Sequence, residues 1–178
     1  MRNMREMRTP SAKRTLDLIG GALLLLLFSP VLATAFVAVS ATSPGSALLR
    51  QPRAGLGGKP FLALKLRKDV RFPPLGRLLR RLHLDALLQL VHVVRGEMSL
   101  VGPRPLPVED SGYPGLARGR LEVRPGITGL WQVNRHSEFP WDEMALLDLE
   151  YVDTHCLAVD LGILARTFPA ALNARAAR

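Results

Sequence analysis

From Leu18 to Leu49 the chain carries no charged residue. The first part, Leu18-Ile-Gly-Gly-Ala-Leu-Leu-Leu-Leu-Leu-Phe28, is almost purely apolar. About 20 such residues suffice to cross a bilayer as a helix, so the run reads as a membrane segment. A cleaved leader has the same basic start and apolar middle, and Ala33 and Ala35 imitate a cleavage site. The apolar character nevertheless runs on through Ala41, well past that site. Ser29-Pro30 falls in the middle. Proline removes one helical hydrogen bond and clashes with the preceding turn, which predicts a kink at Ser29 and Pro30. Both flanks are basic: Arg8, Lys13 and Arg14 precede the run, and Arg50, Arg53, Lys59, Lys65, Arg67 and Lys68 follow it. Positive charge marks the cytoplasmic side, and here both ends ask for it. A segment that enters, bends and returns, over residues 14–41, satisfies both. A kinked spanning helix is the alternative.

The net charge is +9 and the isoelectric point about 10.9. A chain so basic seeks polyanions: nucleic acid, anionic lipid heads or phosphorylated substrates. Only 6% of residues are aromatic. Stacking platforms for single-stranded nucleic acid are therefore poorly supplied, and no nucleic-acid partner is expected. The lone Cys156 excludes an internal disulfide and a multi-cysteine zinc site.

His83 to Pro105 holds the most chemistry. Arg81, Asp85, Gln89 and His92 recur at helical spacing among Leu and Val, which predicts a narrow polar stripe on an apolar helix over 76–95. Asp85 is the only carboxylate in it. Gly96 reads as the C-terminal cap. Gly102-Pro-Arg-Pro105 follows, a single Arg between two prolines. Such an Arg is a cation on a stiff backbone, suited to gripping a phosphate in fixed geometry. A surface ion pair and an ordinary proline turn are the plain alternative.

The other elements are simpler. Residues 47–53 and 61–67 read as strands joined by a Gly55–Pro60 hairpin turn. Lys65 and Arg67 share one side of the second strand and are candidate phosphate contacts or solvated residues. Residues 106–120 read as a loop. Arg124-Pro-Gly-Ile-Thr-Gly-Leu-Trp-Gln-Val133 is a compact loop-strand element, with Arg124 held extended before its proline. Residues 141–152 read as a helix. Leu157, Leu161, Leu164 and Phe168 form the apolar face of a last helix. The Ala/Arg tail from 170 has little reason to be ordered. No Walker loop, dinucleotide fingerprint or His/Cys metal spacing is present.

Taken in order, these segments resemble a known family. They are a basic start, a Ser-Pro-broken apolar run, Arg50-Gln-Pro-Arg53 with Gly58-Lys-Pro-Phe61, Lys65-Leu-Arg67, Leu84-Asp85, Gly96-Glu-Met-Ser-Leu-Val-Gly-Pro-Arg-Pro105, Arg124-Pro-Gly-Ile-Thr-Gly129 and Leu147-Asp-Leu-Glu-Tyr-Val152. The resemblance is to the bacterial sugar transferases, small monotopic phosphoglycosyl transferases, and covers residues 13 to about 168. It implies transfer of a sugar-1-phosphate from a nucleotide-diphosphate sugar to membrane polyprenyl phosphate, at the cytoplasmic face of the bacterial inner membrane, as an early step of exopolysaccharide or glycoconjugate assembly. It also implies an aspartyl-phosphosugar intermediate and Mg²⁺. Matching position by position, Asp85 falls on the family's nucleophile and metal-side carboxylate. Arg104 falls on its presented arginine, and Arg124, Lys65 and Arg67 are further phosphate-binding candidates. One departure stands out. The family's Asp-Glu pair reads Asp85-Ala86 here, and Leu88 replaces a proline. A catalytically impaired homologue that binds nucleotide sugar or lipid as a scaffold is therefore the second reading.

The expected fold is mixed α/β and mostly helical. It has a re-entrant membrane helix, amphipathic interfacial helices and a small antiparallel hairpin. The expected divisions are a basic arm (1–13), the membrane segment (14–41), a catalytic domain (42–168) and a tail (169–178). Expected partners are the nucleotide sugar, the polyprenyl phosphate and membrane lipid, and a second copy of the chain is left open.

Overall fold

The computed structural model describes residues 10–42, 45–67, 73–81, 84–108, 116–134 and 141–176. The architecture is mixed α/β and mostly helical, with two small two-stranded sheets among the described residues.

Helix α1 runs from Pro10 to Thr42 without interruption. The expected bend does not divide it into two helices, because Pro30 lies inside it. The reason is local. Pro30 has no N–H for the carbonyl of Leu26, one turn earlier. Ser29 Oγ donates to that same carbonyl at 2.7 Å, so the orphaned acceptor is satisfied within the helix. Thr34 Oγ1 donates to the carbonyls of Pro30 and Val31, both at 3.0 Å.

α1 has two faces. Asp17, Gly21, Ala35 and Val39 are buried, and Leu25 packs against the main core. Spaced four, four, ten and four residues apart, they make one stripe along the domain. Ile19, Leu23, Leu26, Leu27 and Val37, off that stripe, are each more than half exposed. An apolar surface this long faces something other than water. α1 is the described helix long and apolar enough to cross a membrane.

Three polar side chains fix its first turns. Lys13 Nζ reaches Asp160 Oδ2 at 2.6 Å and the Val101 carbonyl at 3.2 Å. Arg14 donates to the carbonyls of Val93 and Val94, at 2.7 and 2.8 Å. Asp17 accepts from Ser99 Oγ and the Leu100 amide, both at 2.9 Å.

Strands β1 (Leu48–Ala54) and β2 (Pro60–Leu66) form the expected antiparallel hairpin, with Leu48 opposite Leu66 and Ala54 opposite Pro60. A 3₁₀ turn at Leu56–Gly58 joins them. Phe61 and Ala63 are buried, while Leu62 faces outward.

The expected helix over 76–95 is described as α2 (Pro73–Arg81), α3 (Leu84–Leu88) and α4 (Leu90–Arg95); residues 82 and 83 lie outside the described residues, and a turn at Gln89 parts α3 from α4. Asp85 therefore sits on a different helix from His92. His92 is also not part of an exposed stripe: it is buried. Its Nε2 accepts from the Leu64 amide at 3.0 Å, and its Nδ1 meets Glu97 Oε2 at 2.5 Å. The acceptor role of Nε2 puts the ring proton on Nδ1, toward the carboxylate. Gly96 caps α4 as expected, with φ +85° and its amide returned to the last turn.

Strand β3 (Ser99–Val101) pairs in parallel with β4 (Gly126–Thr128), and the short helix α5 (Leu130–Val133) follows. Between them, Leu116–Glu122 is a 3₁₀ helix where a loop was expected. Helices α6 (Trp141–Thr154) and α7 (Leu157–Ala176) close the chain. Two expectations for α7 are corrected. The helix continues through Pro169 to Ala176, so the tail is helical that far. Its buried face carries Asp160 and Ile163 rather than Leu157 and Leu161, which are exposed. The polar side chains win because they have partners inside. Tyr151 donates to Asp160 Oδ1 at 2.6 Å, and Thr167 meets Thr128 Oγ1 at 2.9 Å. The side chain of Phe168 lies outside the described residues.

The main core gathers Phe61, Leu90, Val93, Met98, Leu100, Val101, Tyr151 and Ile163. A second cluster joins Ala35 and Val39 of α1 to Ala47, Leu66, Leu79 and Leu84. Leu87 on α3 packs against both.

Candidate active site

The loop after β3 carries the presented arginine, and its backbone is bonded at each step. The Gly102 amide donates to the Thr128 carbonyl at 2.9 Å, and the Pro103 carbonyl accepts from the Gly126 amide at 2.8 Å. The Pro105 carbonyl accepts from Arg53 Nη1 at 3.3 Å. The Leu106 carbonyl accepts from the Ala54 amide at 2.9 Å. Pro103 and Pro105 have no amide to satisfy. The hairpin edge and the β4 loop thus hold the Gly102–Leu106 segment from two sides.

Close approach of the two loops needs glycine. A Cβ on Gly126 would lie 2.1 Å from the Gly102 nitrogen, and one on Gly129 would lie 2.4 Å from the Gly102 oxygen. Real Cβ atoms do not come so near backbone.

Arg104 itself is exposed. Its guanidinium carbon sits 5.8 Å from the centroid of the Trp131 ring. Trp131 is nearly buried, so the ring is a fixed floor and the cation lies on it with its donors open. Trp131 was not singled out from the sequence. Its place in Gly129-Leu-Trp was the only hint.

The backbone of Arg104 meets a buried ion pair. Arg120, from the 3₁₀ helix, contacts Asp148 on α6. Arg120 Nη2 also approaches the Arg104 carbonyl at 3.4 Å. Asp148 has no exposure at all. Burial pushes its carboxyl up to about 6, and Arg120 and the Arg104 amide pull it partly back. Neither Asp148 oxygen has a well-aligned hydrogen bond, so these contacts are chiefly electrostatic. Burial likewise lowers Arg120 from its ordinary value, against the pull of Asp148. Sequence reading missed both residues. Asp148 left a trace: it falls between Ala145 and Tyr151 on the buried side of α6, a carboxylate where an apolar residue is expected. Arg120 left none.

A shallow pocket lies beside this loop. It is lined by Ala54, Gly55, Arg104, Leu106, Arg120 and Pro125, among others.

The remaining candidates fall elsewhere. Asp85 stands on α3, which packs on β2 and on α1. Its side chain, and that of Ala86, lie outside the described residues. Lys65 is on β2, opposite Leu49 and half-buried. Arg67 follows β2, with its amide bonded to the Ala47 carbonyl at 2.9 Å and its guanidinium near Gly45. Arg124 uses Nε to bond the Gly96 carbonyl at 2.9 Å, which braces the turn between α4 and β3. Helix α1 touches both halves of the arrangement. It packs on α3, which carries Asp85, and Lys13 bonds Val101, three residues before Arg104.

Among the described residues, no three His, Cys, Asp or Glu side chains come together as metal ligands. The arrangement offers an exposed guanidinium on a rigid loop, Lys65 on β2 with Arg67 just after it, and an apolar helix along the same domain.

Comparison with known proteins agrees. A family model described as bacterial sugar transferase matches residues 8–174. The UDP-glucose:undecaprenyl-phosphate glucose-1-phosphate transferase of Caulobacter vibrioides is 41% identical, over 90% of this chain and 70% of that protein. The exopolysaccharide production protein ExoY of Rhizobium meliloti is 34% identical, over 92% of this chain and 87% of its own length. The UDP-glucose:undecaprenyl-phosphate glucose-1-phosphate transferase of Escherichia coli is 37% identical, over 85% of this chain but only 38% of that protein.

Proposed function

The chain belongs to the bacterial sugar transferase family, and from that premise we propose that it is a phosphoglycosyl transferase. It moves a sugar-1-phosphate from a nucleotide-diphosphate sugar to a membrane polyprenyl phosphate. The relatives named for UDP-glucose and undecaprenyl phosphate support this donor and acceptor class. The observation that carries the reading is Arg104: an open guanidinium, preset on Trp131, in a loop with little freedom to lose. A guanidinium held this way matches a diphosphate at small ordering cost.

The proposed chemistry has two displacements. The Asp85 carboxylate attacks the phosphorus that bears the sugar. A carboxyl O–P bond forms, the bridging P–O bond breaks, and nucleoside monophosphate leaves. An oxygen of the lipid phosphate then attacks the same phosphorus and releases Asp85. Two anions are thereby never asked to react in one step without a neutralising environment. Arg104, with Lys65 and Arg67 as further cations, offsets the charge that builds up on the phosphoryl oxygens. Mg²⁺ accepts one or two carboxylates together with substrate phosphates. Asp85 and the donor's diphosphate are the groups that would hold it, and it would supply charge neutralisation there.

The membrane arrangement follows from α1. Its exposed apolar side takes lipid, and its opposite stripe and polar first turns stay on the domain. A helix attached to the domain along one stripe, with its other side apolar, fits a monotopic anchor seated in the cytoplasmic face of the inner membrane. A lipid phosphate and a soluble nucleotide then both reach Arg104 and α3.

The test is nucleoside monophosphate release by purified protein in nanodiscs with Mg²⁺, polyprenyl phosphate and a panel of nucleotide sugars. The proposal expects lipid-dependent release that Asp85→Asn abolishes. The second reading, a binding scaffold, rests on Ala86. It expects no release from the natural chain but release from Ala86→Glu.

A further inference from the structure

We propose that the buried Arg120–Asp148 pair is a positioning device for Arg104: Arg120, held by Asp148, grips the Arg104 backbone carbonyl and so sets the guanidinium over Trp131. Its consequence for turnover rests on the transferase reading above, whereas its effect on Arg104 does not.

Gly102, Pro103, Pro105 and Leu106 give their backbone groups to β4, Arg53 and Ala54. The Arg104 carbonyl is a further acceptor in this segment that needs a donor. Arg120 Nη2 approaches it at 3.4 Å, and Asp148 holds Arg120 in turn. The two partners come from elements far apart in the chain, the 3₁₀ helix at 116–122 and α6. These elements pack so tightly that a Cβ on Gly119 would lie 2.7 Å from Leu149 Cδ2.

A buried ion pair is a poor way to stabilise a fold. An apolar pair of similar volume serves as well or better, because no charge has to leave water. Arg120 and Asp148 are 4% and 0% exposed. What an apolar pair cannot do is present a fixed donor to the Arg104 carbonyl. Arg104 is exposed, and both Arg104 and Arg120 line the same pocket. Both residues act through Arg104, so they are positioning residues.

The chain has two tryptophans, so Trp141→Phe leaves Trp131 as the single reporter of the cation above it. In that background, Arg104→Ala defines the emission of Trp131 without the guanidinium. Arg120→Met/Asp148→Leu removes the grip and leaves no unpaired buried charge. The proposal expects its emission to move to the Arg104→Ala value, and the triple variant to show no further change. It also expects nucleoside monophosphate release to fall about tenfold or more in kcat/KM, with no added loss when Arg104→Ala is combined. A thermal midpoint close to the parent's accompanies this result. Should Arg120→Met/Asp148→Leu not fold, Asp148→Asn is read in the same way. Emission unchanged from the Trp141→Phe parent overturns the proposal, as do losses that multiply with Arg104→Ala. If the parent releases no nucleotide from any donor, the transferase reading falls, and the emission result still decides the grip.

Discussion

Gly102 and Gly126 stand so close that neither can carry a side chain. A Cβ on Gly126 would lie 2.1 Å from the Gly102 nitrogen, and a Cβ on Gly102 would lie 2.4 Å from the Arg124 oxygen. The contacts are backbone to backbone, so no rotamer change relieves them. Gly126→Ala is expected to lower stability by about 1–3 kcal/mol, the usual cost of overpacking, and to displace the Arg104 loop. Gly162 on α7 is the control, with nothing within 4 Å of its added Cβ. Gly162→Ala is expected to be neutral or to stabilise by up to about 1 kcal/mol, the helix-propensity difference. Denaturant unfolding of both variants checks the contrast. Equal stabilities would mean that the two loops are free to separate.

The anchor of α1 is expected to behave as a buried charge pair. Asp160 is fully buried and meets Lys13 and Tyr151, both at 2.6 Å. Burial and the Asp160 carboxylate hold the Tyr151 phenol well above its ordinary value. It therefore keeps its single proton and gives it to Asp160. Lys13→Met strands the carboxylate and is expected to cost about 3–5 kcal/mol. Tyr151→Phe is expected to cost about 1–3 kcal/mol. Lys59 is exposed, and Lys59→Met is expected to change little. The order of the three unfolding midpoints in one detergent is the check, and a Lys13→Met midpoint no lower than that of Lys59→Met would break the account.

The Ser29–Leu26 bond gives a rescue experiment. Ser29→Ala leaves the Leu26 carbonyl without a donor on the helix that the proposal places against lipid, because Pro30 has none to offer. A loss of roughly 1–2 kcal/mol is expected. In Ser29→Ala/Pro30→Ala a backbone N–H returns at residue 30 and refills the bond. Thermal unfolding in nanodiscs should recover in the double variant. A double variant less stable than Ser29→Ala would show that the serine acts in another way.

Asp148 makes a pH prediction. Its folded value, about 6, lies above the ordinary 3.8. The folded state therefore binds a proton that the unfolded chain has already released. The stabilising contribution is complete below about pH 4 and is lost as pH rises through 6. The unfolding free energy of the wild type minus that of Asp148→Asn should fall from pH 4 to 6 and be level above 7. A level difference across the whole range would place the titration elsewhere.

These relationships mark what the sequence makes legible. The apolar run, the hairpin with its glycine turn, the Gly96 cap and the stiff Gly-Pro-Arg-Pro loop are local, and each is written in a few neighbouring residues. The pairs that fix the site are not. Lys13 with Asp160, Asp17 with Ser99 and Arg120 with Asp148 join distant parts of the chain, and no period records them. The last helix shows the same limit. Its leucines suggest the inner face, but Asp160 and Thr167 have partners inside and turn Leu157 and Leu161 outward. The helix expected over 76–95 is periodic throughout, yet a turn at Gln89 divides it between Asp85 and His92, and the packing of α3 against both α1 and β2 outweighs propensity.

The most direct test follows one phosphorus atom. The donor carries radioactive phosphorus in the phosphate next to the sugar, and the protein is supplied with polyprenyl phosphate in nanodiscs. Phosphoglycosyl transfer moves the label into the lipid extract, with an equal amount of nucleoside monophosphate in the water phase, and Asp85→Asn stops both. Sugar appearing in the lipid while the label stays in water as nucleoside diphosphate would contradict the account, since the bond broken would then be the one to the sugar.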